Sequence, residues 1–225
     1  MRRTIAIPDI HGCCRTFQHL LQKVGLKKKD TVYLLGDYID RGPDSRGVID
    51  EIIARQAEGY DVRPLLGNHE DLLLKCLDSG EEEDLWQWLD SGGETTLKSY
   101  GVRNPEDIDP NHIEAMRTFP LYHLTETHVF VHAGLNFCFK DPLSQKGRES
   151  MLWQRSAVVD RRKIGGRKVV SGHTIQQIDQ IIGSISTSHI RLDNGCFTAG
   201  MYAGMGSLVA LELETGVLHV QEYRG

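Results

Sequence analysis

The chain has 225 residues, of which 40% are hydrophobic and 25% are charged, and its formal net charge is −5. These values are typical of a globular protein with a buried core, and they give no basic field of the kind that binds nucleic acid. No apolar run reaches the roughly 20 residues that span a bilayer, and the apolar segment near Met1 is too short for a signal peptide. We therefore expect a cytoplasmic protein with no nucleic-acid partner and no membrane partner.

The first 70 residues repeat one unit three times: a short apolar strand, a polar motif where that strand ends, and then a helical pattern. The predicted strands cover residues 3–8, 31–35 and 61–66. The motifs that follow them are Asp9-Ile10-His11, Gly36-Asp37-Tyr38-Ile39-Asp40-Arg41-Gly42 and Gly67-Asn68-His69-Glu70. This rhythm predicts neighbouring parallel strands joined by helices. The carboxyl ends of such strands meet at one edge of the sheet, where ligands usually bind in α/β proteins.

Residues 80–120 are predicted to form a helical insertion over one side of that edge. Their apolar residues follow a helical spacing, and we expect Trp86 and Trp88 to lie in the core. A role of the insertion in admitting substrate is a hypothesis that the sequence raises without supporting it further.

The second half of the chain is predicted to be rich in strands. A β-hairpin is expected over 121–124 and 127–131, followed by a strand over 168–171. Further short strands are predicted at 180–183, 187–192, 207–213 and 217–222, with Asp193-Asn194-Gly195 as a turn. Two more polar motifs follow strands, His132-Ala133-Gly134 and Gly172-His173-Thr174. The predicted fold class is therefore α/β with an α+β-like second half, a two-sheet sandwich flanked by helices in a single domain over 1–225.

The strand ends carry six side chains that can bind a metal ion through oxygen or nitrogen. They are Asp9, His11, Asp37, Asn68, His132 and His173. Mixed sets of carboxylate, amide and imidazole suit Mn²⁺, Fe²⁺ or Zn²⁺. Six ligands exceed what one open catalytic ion needs, so we expect two ions about 3.5–4 Å apart that share a carboxylate. Taken singly, each residue is also an ordinary turn or strand-end residue, and it is their recurrence at five strand ends that favours metal binding.

The five motifs, in this order, resemble those of the calcineurin-like metallophosphoesterases, and within that superfamily those of the small bacterial and bacteriophage lambda-type serine/threonine protein phosphatases. The resemblance implies that Asp9 and His11 bind a first metal ion and that Asp37 bridges two ions. It implies that the second ion is completed by Asn68, His132 and His173. Mn²⁺ is the ion we expect first, with iron and Zn²⁺ as alternatives.

The same resemblance implies roles in phosphoester hydrolysis. Arg41, Arg155 and Asn68 would hold the phosphate, while His69, oriented by Asp40, would protonate the leaving oxygen. The attack on a phosphomonoester would be in line and carried out by a metal-bound hydroxide.

The family splits mainly into protein phosphatases and diadenosine tetraphosphate hydrolases, which share the metal centre. We favour a serine/threonine protein phosphatase that acts as a monomer on a phosphorylated protein or peptide, with phosphotyrosine as a further candidate. The alternative is diadenosine tetraphosphate hydrolysis, and a metal-binding scaffold without turnover is a third hypothesis, which the intact His69, Asp40 and Arg41 argue against. The basic residues over 161–168 either line a groove for an acidic substrate or form a solvated loop.

Overall fold

The computed structural model describes residues 2–156 and 158–225. Nine strands lie within these residues: β1 Thr4–Ile7, β2 Thr31–Leu34, β3 Asp61–Pro64, β4 Tyr122–Leu124, β5 His128–Val131, β6 Lys168–Ser171, β7 His189–Arg191, β8 Ser207–Glu212 and β9 Val217–Glu222. Eight α-helices lie between them: α1 Cys14–Val24, α2 Ser45–Ala57, α3 Asn68–Ser79, α4 Glu82–Trp88, α5 Glu94–Tyr100, α6 Pro110–Arg117, α7 Arg148–Trp153 and α8 Ile178–Ile185.

The first sheet has the strand order β3-β2-β1-β8-β9. Its three N-terminal strands are parallel, as the β-α-β-α-β rhythm predicts. The last two strands of the chain return to this sheet, and β8 pairs antiparallel with β1, with Glu212 opposite Ile5. The two ends of the described chain are therefore combined in one sheet.

The second sheet has the order β4-β5-β6-β7. The expected hairpin is present as the antiparallel pair β4 and β5, and β6 and β7 then add to it in parallel. Two sheets with helices outside them confirm the predicted fold class, which is a mixed α/β sandwich.

The core between the sheets explains why the strands read as continuous apolar runs. Tyr33 of the first sheet stacks on Phe130 of the second, with ring centroids 3.8 Å apart. On the opposite face of the first sheet, Ile5 and Ile7 pack against buried residues of α1 and α2. Strands that are covered on both faces bury every side chain, so they lose the alternation of polar and apolar residues.

One predicted strand is wrong, since residues 180–183 lie within the helix α8. Ile178, Ile181 and Ile185 recur at helical spacing and pack against the core between the sheets. A short apolar run can satisfy either a strand or a helix, and here the packing of one isoleucine face against the sheets favours the helix.

The expected helical insertion over 80–120 is present as α4, a π-helical turn Leu89–Gly93, α5 and α6, and it packs on α2 and α3. Trp88 is fully buried as expected. The expectation for Trp86 is wrong, because its side chain is 67% exposed. The two residues are two positions apart on a helix, so they point to different faces.

The basic residues over 161–168 are used to brace the local backbone. Lys163 Nζ donates to the carbonyl oxygens of Phe137 and Phe139 at 2.6 and 2.9 Å. Arg167 Nε donates to the carbonyl oxygen of Thr125 at 2.6 Å. These contacts favour the interpretation of residues 161–168 as a loop over their interpretation as the lining of a substrate groove.

Among residues 2–156 and 158–225, none of the helices combines the length and the apolar character required to cross a membrane.

Gly36 lies where the loop after β2 meets the loops after β3 and β5. It has a φ of 100°, and a Cβ built on it would lie 2.7 Å from Gly67 Cα and 2.8 Å from His132 Nδ1. Gly36→Ala should therefore lower the free energy of unfolding by about 3 kcal/mol or more, because crowding adds to the backbone cost. Gly59→Ala is the matched control, since Gly59 has a φ of 87° and no neighbour within 4 Å. It should cost about 1 kcal/mol in urea unfolding, and equal losses in the two variants would contradict the crowding.

Candidate active site

Two histidines are fixed in orientation by backbone carbonyl groups of neighbouring loops. His132 Nδ1 donates to the carbonyl oxygen of Leu35 at 2.8 Å, which also joins the two sheets. His11 Nδ1 donates to the carbonyl oxygen of Ile39 at 2.8 Å. Because each Nδ1 carries the proton, each Nε2 is an acceptor that faces the strand-end cleft. This is the form in which imidazole binds a metal ion.

The carboxylate of Asp37 lies at the centre of the cleft. Its Oδ2 is 3.5 Å from His11 Nε2 and 3.5 Å from His132 Nε2. Two groups of three donors have all their ligand atoms within 4.8 Å of one another, namely His11, Asp37 and His69, and Asp37, His132 and His173. Asp37 belongs to both groups, which is the position that a bridging ligand would take.

The second group of donors also includes Asn68. Asn68 Oδ1 lies 2.8 Å from His132 Nε2 and 3.0 Å from His173 Nδ1, and the two histidine nitrogens are 3.1 Å apart. Ligands bound to one ion at about 2.0–2.2 Å lie about 3 Å from each other. Three donors converge here at that spacing, so these residues fit a divalent ion.

Asp9 stands apart from both groups of three. Its carboxylate accepts the backbone N–H of His173 at 2.9 and 3.1 Å. Burial, followed by the nearby charges of Asp193 and Asp37, raises the pKa of Asp9 well above its usual value. In the first group of three donors, His69 takes the position expected for Asp9. Arg41 Nη1 also donates to His11 Nε2 at 2.9 Å. The role of Asp9 as a metal ligand therefore stays a prediction.

Asp193 is a site residue that sequence reasoning missed. The expected turn is present, since Asp193 Oδ1 accepts the N–H of Gly195 at 2.7 Å. Its side chain is nevertheless buried, and burial raises its pKa to about 6. The signal that could have found it is its place, because it follows β7 as Asp9 follows β1.

Backbone strain coincides with the predicted site. Five non-glycine residues among those described have a φ between 45° and 69°, namely His11, Asp37, Asp40, Arg41 and His173. All five were assigned to the site from the sequence alone. Since left-handed backbone at non-glycine residues is costly and is found at functional sites, this observation supports the assignment independently of the donor distances.

His69 and Asp40 form the expected pair. His69 Nδ1 donates to Asp40 Oδ2 at 2.7 Å, and His69 Nε2 lies 3.9 Å from Asp37 Oδ2. Burial raises the pKa of Asp40 to about 7, while hydrogen bonds from Thr96 and Trp88 act against that rise. Burial, followed by the charge of Arg41, lowers the pKa of His69. The geometry aims Nε2 of His69 into the cleft.

Glu70 braces the site, as its place in the motif suggests. Its Oε2 accepts the backbone N–H of Asp37 and Gly67 at 2.9 and 3.0 Å. Its Oε1 accepts the backbone N–H of Tyr38 and Ile39 at 2.7 and 3.2 Å. One buried carboxylate thus holds the ends of β2 and β3 together.

Two arginines border the cleft. The Arg41 guanidinium lies over the Phe197 ring at 4.8 Å, and the Phe197 ring meets the edge of His11 at 4.9 Å. Arg155 is exposed. The pKa of His173 is lowered to about 4, first by the burial of His173 itself and second by the positive charge of Arg155. Phe197 carried no sequence signal, because it belongs to no motif.

Comparison with known proteins gives a consistent result. A family model described as calcineurin-like phosphoesterase matches residues 2–181. The asymmetrical bis(5'-nucleosyl)-tetraphosphatase PrpE of Bacillus velezensis is 27% identical over 224 residues, which cover 88% of this chain and 86% of that protein. A symmetrical bis(5'-nucleosyl)-tetraphosphatase of Acidovorax sp. (strain JS42) is 45% identical over 69 residues, or 30% of this chain. The chain spans only 24% to 34% of the length of three such symmetrical enzymes.

Solved structures share the fold. A crystal structure provisionally described as a diadenosine tetraphosphatase has a TM-score of 0.67 and 22% identity, covering 100% of this chain and 95% of that one. A protein serine/threonine phosphatase from Saccharomyces cerevisiae has a TM-score of 0.65 and 16% identity, covering 100% and 81% of the two chains. Because both identities are low, these likenesses concern the fold.

Glu70→Gln tests the bracing role. The amide keeps the shape of the side chain but turns an NH₂ group towards two of the four backbone N–H groups. Leaving those buried donors without an acceptor should lower the free energy of unfolding by about 2–4 kcal/mol. Glu222→Gln, at an exposed position on β9, is the control and should be neutral in the same urea titration. An unchanged free energy of unfolding in Glu70→Gln would show that the strand ends do not depend on this carboxylate.

Proposed function

This chain belongs to the calcineurin-like phosphoesterase family, and from that premise we propose that it is a metal-dependent hydrolase of dinucleoside polyphosphates. The observation that carries the proposal is its similarity to an asymmetrical bis(5'-nucleosyl)-tetraphosphatase, which extends over 88% of this chain and 86% of that relative. A match over 88% of the chain must include the segment over 80–120, so it is more than a shared metal motif. The serine/threonine phosphatase of Saccharomyces cerevisiae also covers 100% of this chain, but at 16% identity it supports the phosphoprotein activity expected first only at the level of the fold.

The side chains of the cleft would have two roles, metal binding and phosphate binding. When bound, two divalent ions, for which we propose Mn²⁺, would polarise the attacking water and offset the charge of the phosphate. Asp37 would bridge them, with His11 and Asp9 on one side and the group of Asn68, His132 and His173 on the other. Arg41 and Arg155 would hold phosphate oxygens, since a guanidinium binds them through two parallel hydrogen bonds.

An exposed aromatic ring beside the cleft supports a nucleotide substrate. Trp153 is 39% exposed, and its ring lies edge-on to His173 with centroids 6.2 Å apart. A nucleobase can stack on such a ring and gain about 1–3 kcal/mol. The ring is close enough to the metal donors for a base whose phosphates lie in the cleft.

A phosphoprotein substrate remains the second candidate, and the pair of His69 and Asp40 favours it. A serine or threonine alkoxide is a far stronger base than a phosphate oxygen, so its departure depends more on a proton donor. The buried His69–Asp40 pair, joined at 2.7 Å, is suited to such a leaving group. A dinucleoside polyphosphate releases a phosphate oxygen and needs that proton less.

The two substrates are distinguished by supplying diadenosine tetraphosphate or a phosphoserine peptide to the full chain with Mn²⁺. We expect nucleotides to be released from the dinucleotide at a kcat/KM at least tenfold, or about 1.4 kcal/mol, above that of the peptide. Chelation should abolish the reaction, and chromatography identifies whether two equal or two unequal nucleotides form.

His132→Ala should lose both activities, while His19→Ala, at an exposed position on α1, should keep them. Cleavage of the peptide alone would overturn the proposal in favour of the second candidate. Cleavage of neither substrate with any divalent ion would favour the metal-binding scaffold.

His69→Asn tests the proton donor. The variant should bind Mn²⁺ as the parent does, measured by calorimetry, because His69 is not one of the six predicted ligands, although its ring lies in the same group as His11 and Asp37. Its kcat should fall by about 10²–10⁴-fold on phenyl phosphate, whose leaving group needs a proton. His19→Asn is the matched control. A rate close to that of the parent on this ester would remove His69 from the acid role.

A further inference from the structure

The carboxylate of Asp40 is enclosed by donors that the metal centre does not supply. Thr96 Oγ1 donates to Asp40 Oδ1 at 2.6 Å, and Trp88 Nε1 donates to Asp40 Oδ2 at 3.1 Å. The same Oδ2 accepts His69 Nδ1–H at 2.7 Å. Asp40, Trp88 and Thr96 are all fully buried, so no water competes for these bonds.

Thr96 also holds the backbone of Asp40. Its Oγ1 accepts the Asp40 N–H at 2.9 Å, and this N–H lies 3.0 Å from Ser45 Oγ as well. Asp40 has a left-handed backbone, with a φ of 69°. A single hydroxyl therefore fixes both the strained backbone and the side chain of Asp40.

Both donors come from the helical segment over 80–120, on either side of its π-helical turn. A Cβ on Gly93 would lie 2.5 Å from Trp88 Cε2, so the backbone of the turn packs directly on the indole. The carbonyl oxygen of Gly92 accepts the N–H of Arg41 at 3.3 Å. The segment over 80–120 is therefore bonded directly to the backbone of Arg41 and to the side chain of Asp40.

We propose that Trp88 and Thr96 are positioning residues that act through Asp40 to keep His69 Nδ1–H bonded and its Nε2 aimed at the leaving oxygen. The proposal rests on the acid role of His69 proposed above. In the step concerned, the P–O bond to the leaving group breaks, and the attacking water supplies the new oxygen on phosphorus. The His69 imidazolium gives its Nε2 proton to the departing oxygen and keeps its Nδ1–H, and a proton released by the attacking water restores the imidazolium. A carboxylate that lost either neutral donor would be free to turn away from the imidazole.

The test compares two aryl phosphates that share the phosphoryl group and differ in the leaving oxygen. The 2,4-dinitrophenolate group is a weak base and leaves 2,4-dinitrophenyl phosphate without a proton. The phenolate group of phenyl phosphate is a stronger base, and its departure requires a proton. The variants are Trp88→Phe, which removes the indole N–H together with part of the ring volume, and Thr96→Val, which replaces the hydroxyl with a methyl group. We expect kcat on phenyl phosphate to fall about tenfold or more, with kcat on the dinitrophenyl ester within about twofold of the parent and KM unchanged.

Two matched variants serve as controls. Trp86→Phe, on the exposed side of the same helix, should leave both rates unchanged. Thr96→Ser keeps the hydroxyl and should restore most of the rate on phenyl phosphate. If Trp88→Phe does not fold, the pair Thr96→Val and Thr96→Ser decides the matter. Equal losses on the two esters would mean a merely structural role, and no loss on either would mean that the donors are dispensable; both results would overturn the proposal.

A second measurement does not depend on turnover. In ¹⁵N-histidine spectra of the Zn²⁺-loaded chain, the Nδ1–H signal of His69 should shift or broaden in Trp88→Phe and Thr96→Val and stay in place in Trp86→Phe. An unchanged signal in the first two variants would overturn the proposal, even if neither ester is turned over. Release of nucleotides from diadenosine tetraphosphate by the parent chain judges the proposed substrate separately, because the aryl esters involve no nucleotide.

Discussion

The carboxylate of Glu70 is the contact on which the arrangement of the cleft depends. It accepts backbone N–H groups from the loop after β2 and from the loop after β3. Those donors are buried, and a buried N–H without an acceptor is costly. The loops that present Asp37 and Asn68 are therefore held at a fixed separation by one side chain that itself belongs to neither donor group.

The packing of the two sheets completes the cleft. Sheet contacts such as Tyr33 on Phe130 set the distance between β2 and β5, and His132 reaches across that distance to the carbonyl oxygen of Leu35. The same bond selects the tautomer that leaves Nε2 free. A change in sheet packing would thus alter both where the donor lies and which nitrogen it offers.

The donors around Asp37 do not by themselves decide the substrate, because the same chemistry serves a nucleotide or a phosphorylated side chain. What differs between such substrates lies around the donors. Trp153 and Arg155 border the side of His173, and the segment over 80–120 meets the side of Asp40. Under the proposals above, specificity and proton transfer would therefore depend on elements beside the cleft rather than on the donors around Asp37.

The sequence by itself determined the strand-end motifs and the parallel start of the first sheet, since both depend on local patterns: apolar runs, breaks at glycine, and the order of polar residues. It placed His11, Asp37, Asp40, Arg41 and His173 in the site, and these are the residues with strained backbone. Tertiary structure alone decided the rest. Packing decided that residues 180–183 form a helix rather than a strand. It also brought Trp88 and Thr96 to Asp40 from 48 and 56 residues away. Both outcomes depend on contacts between distant segments, which no local pattern encodes.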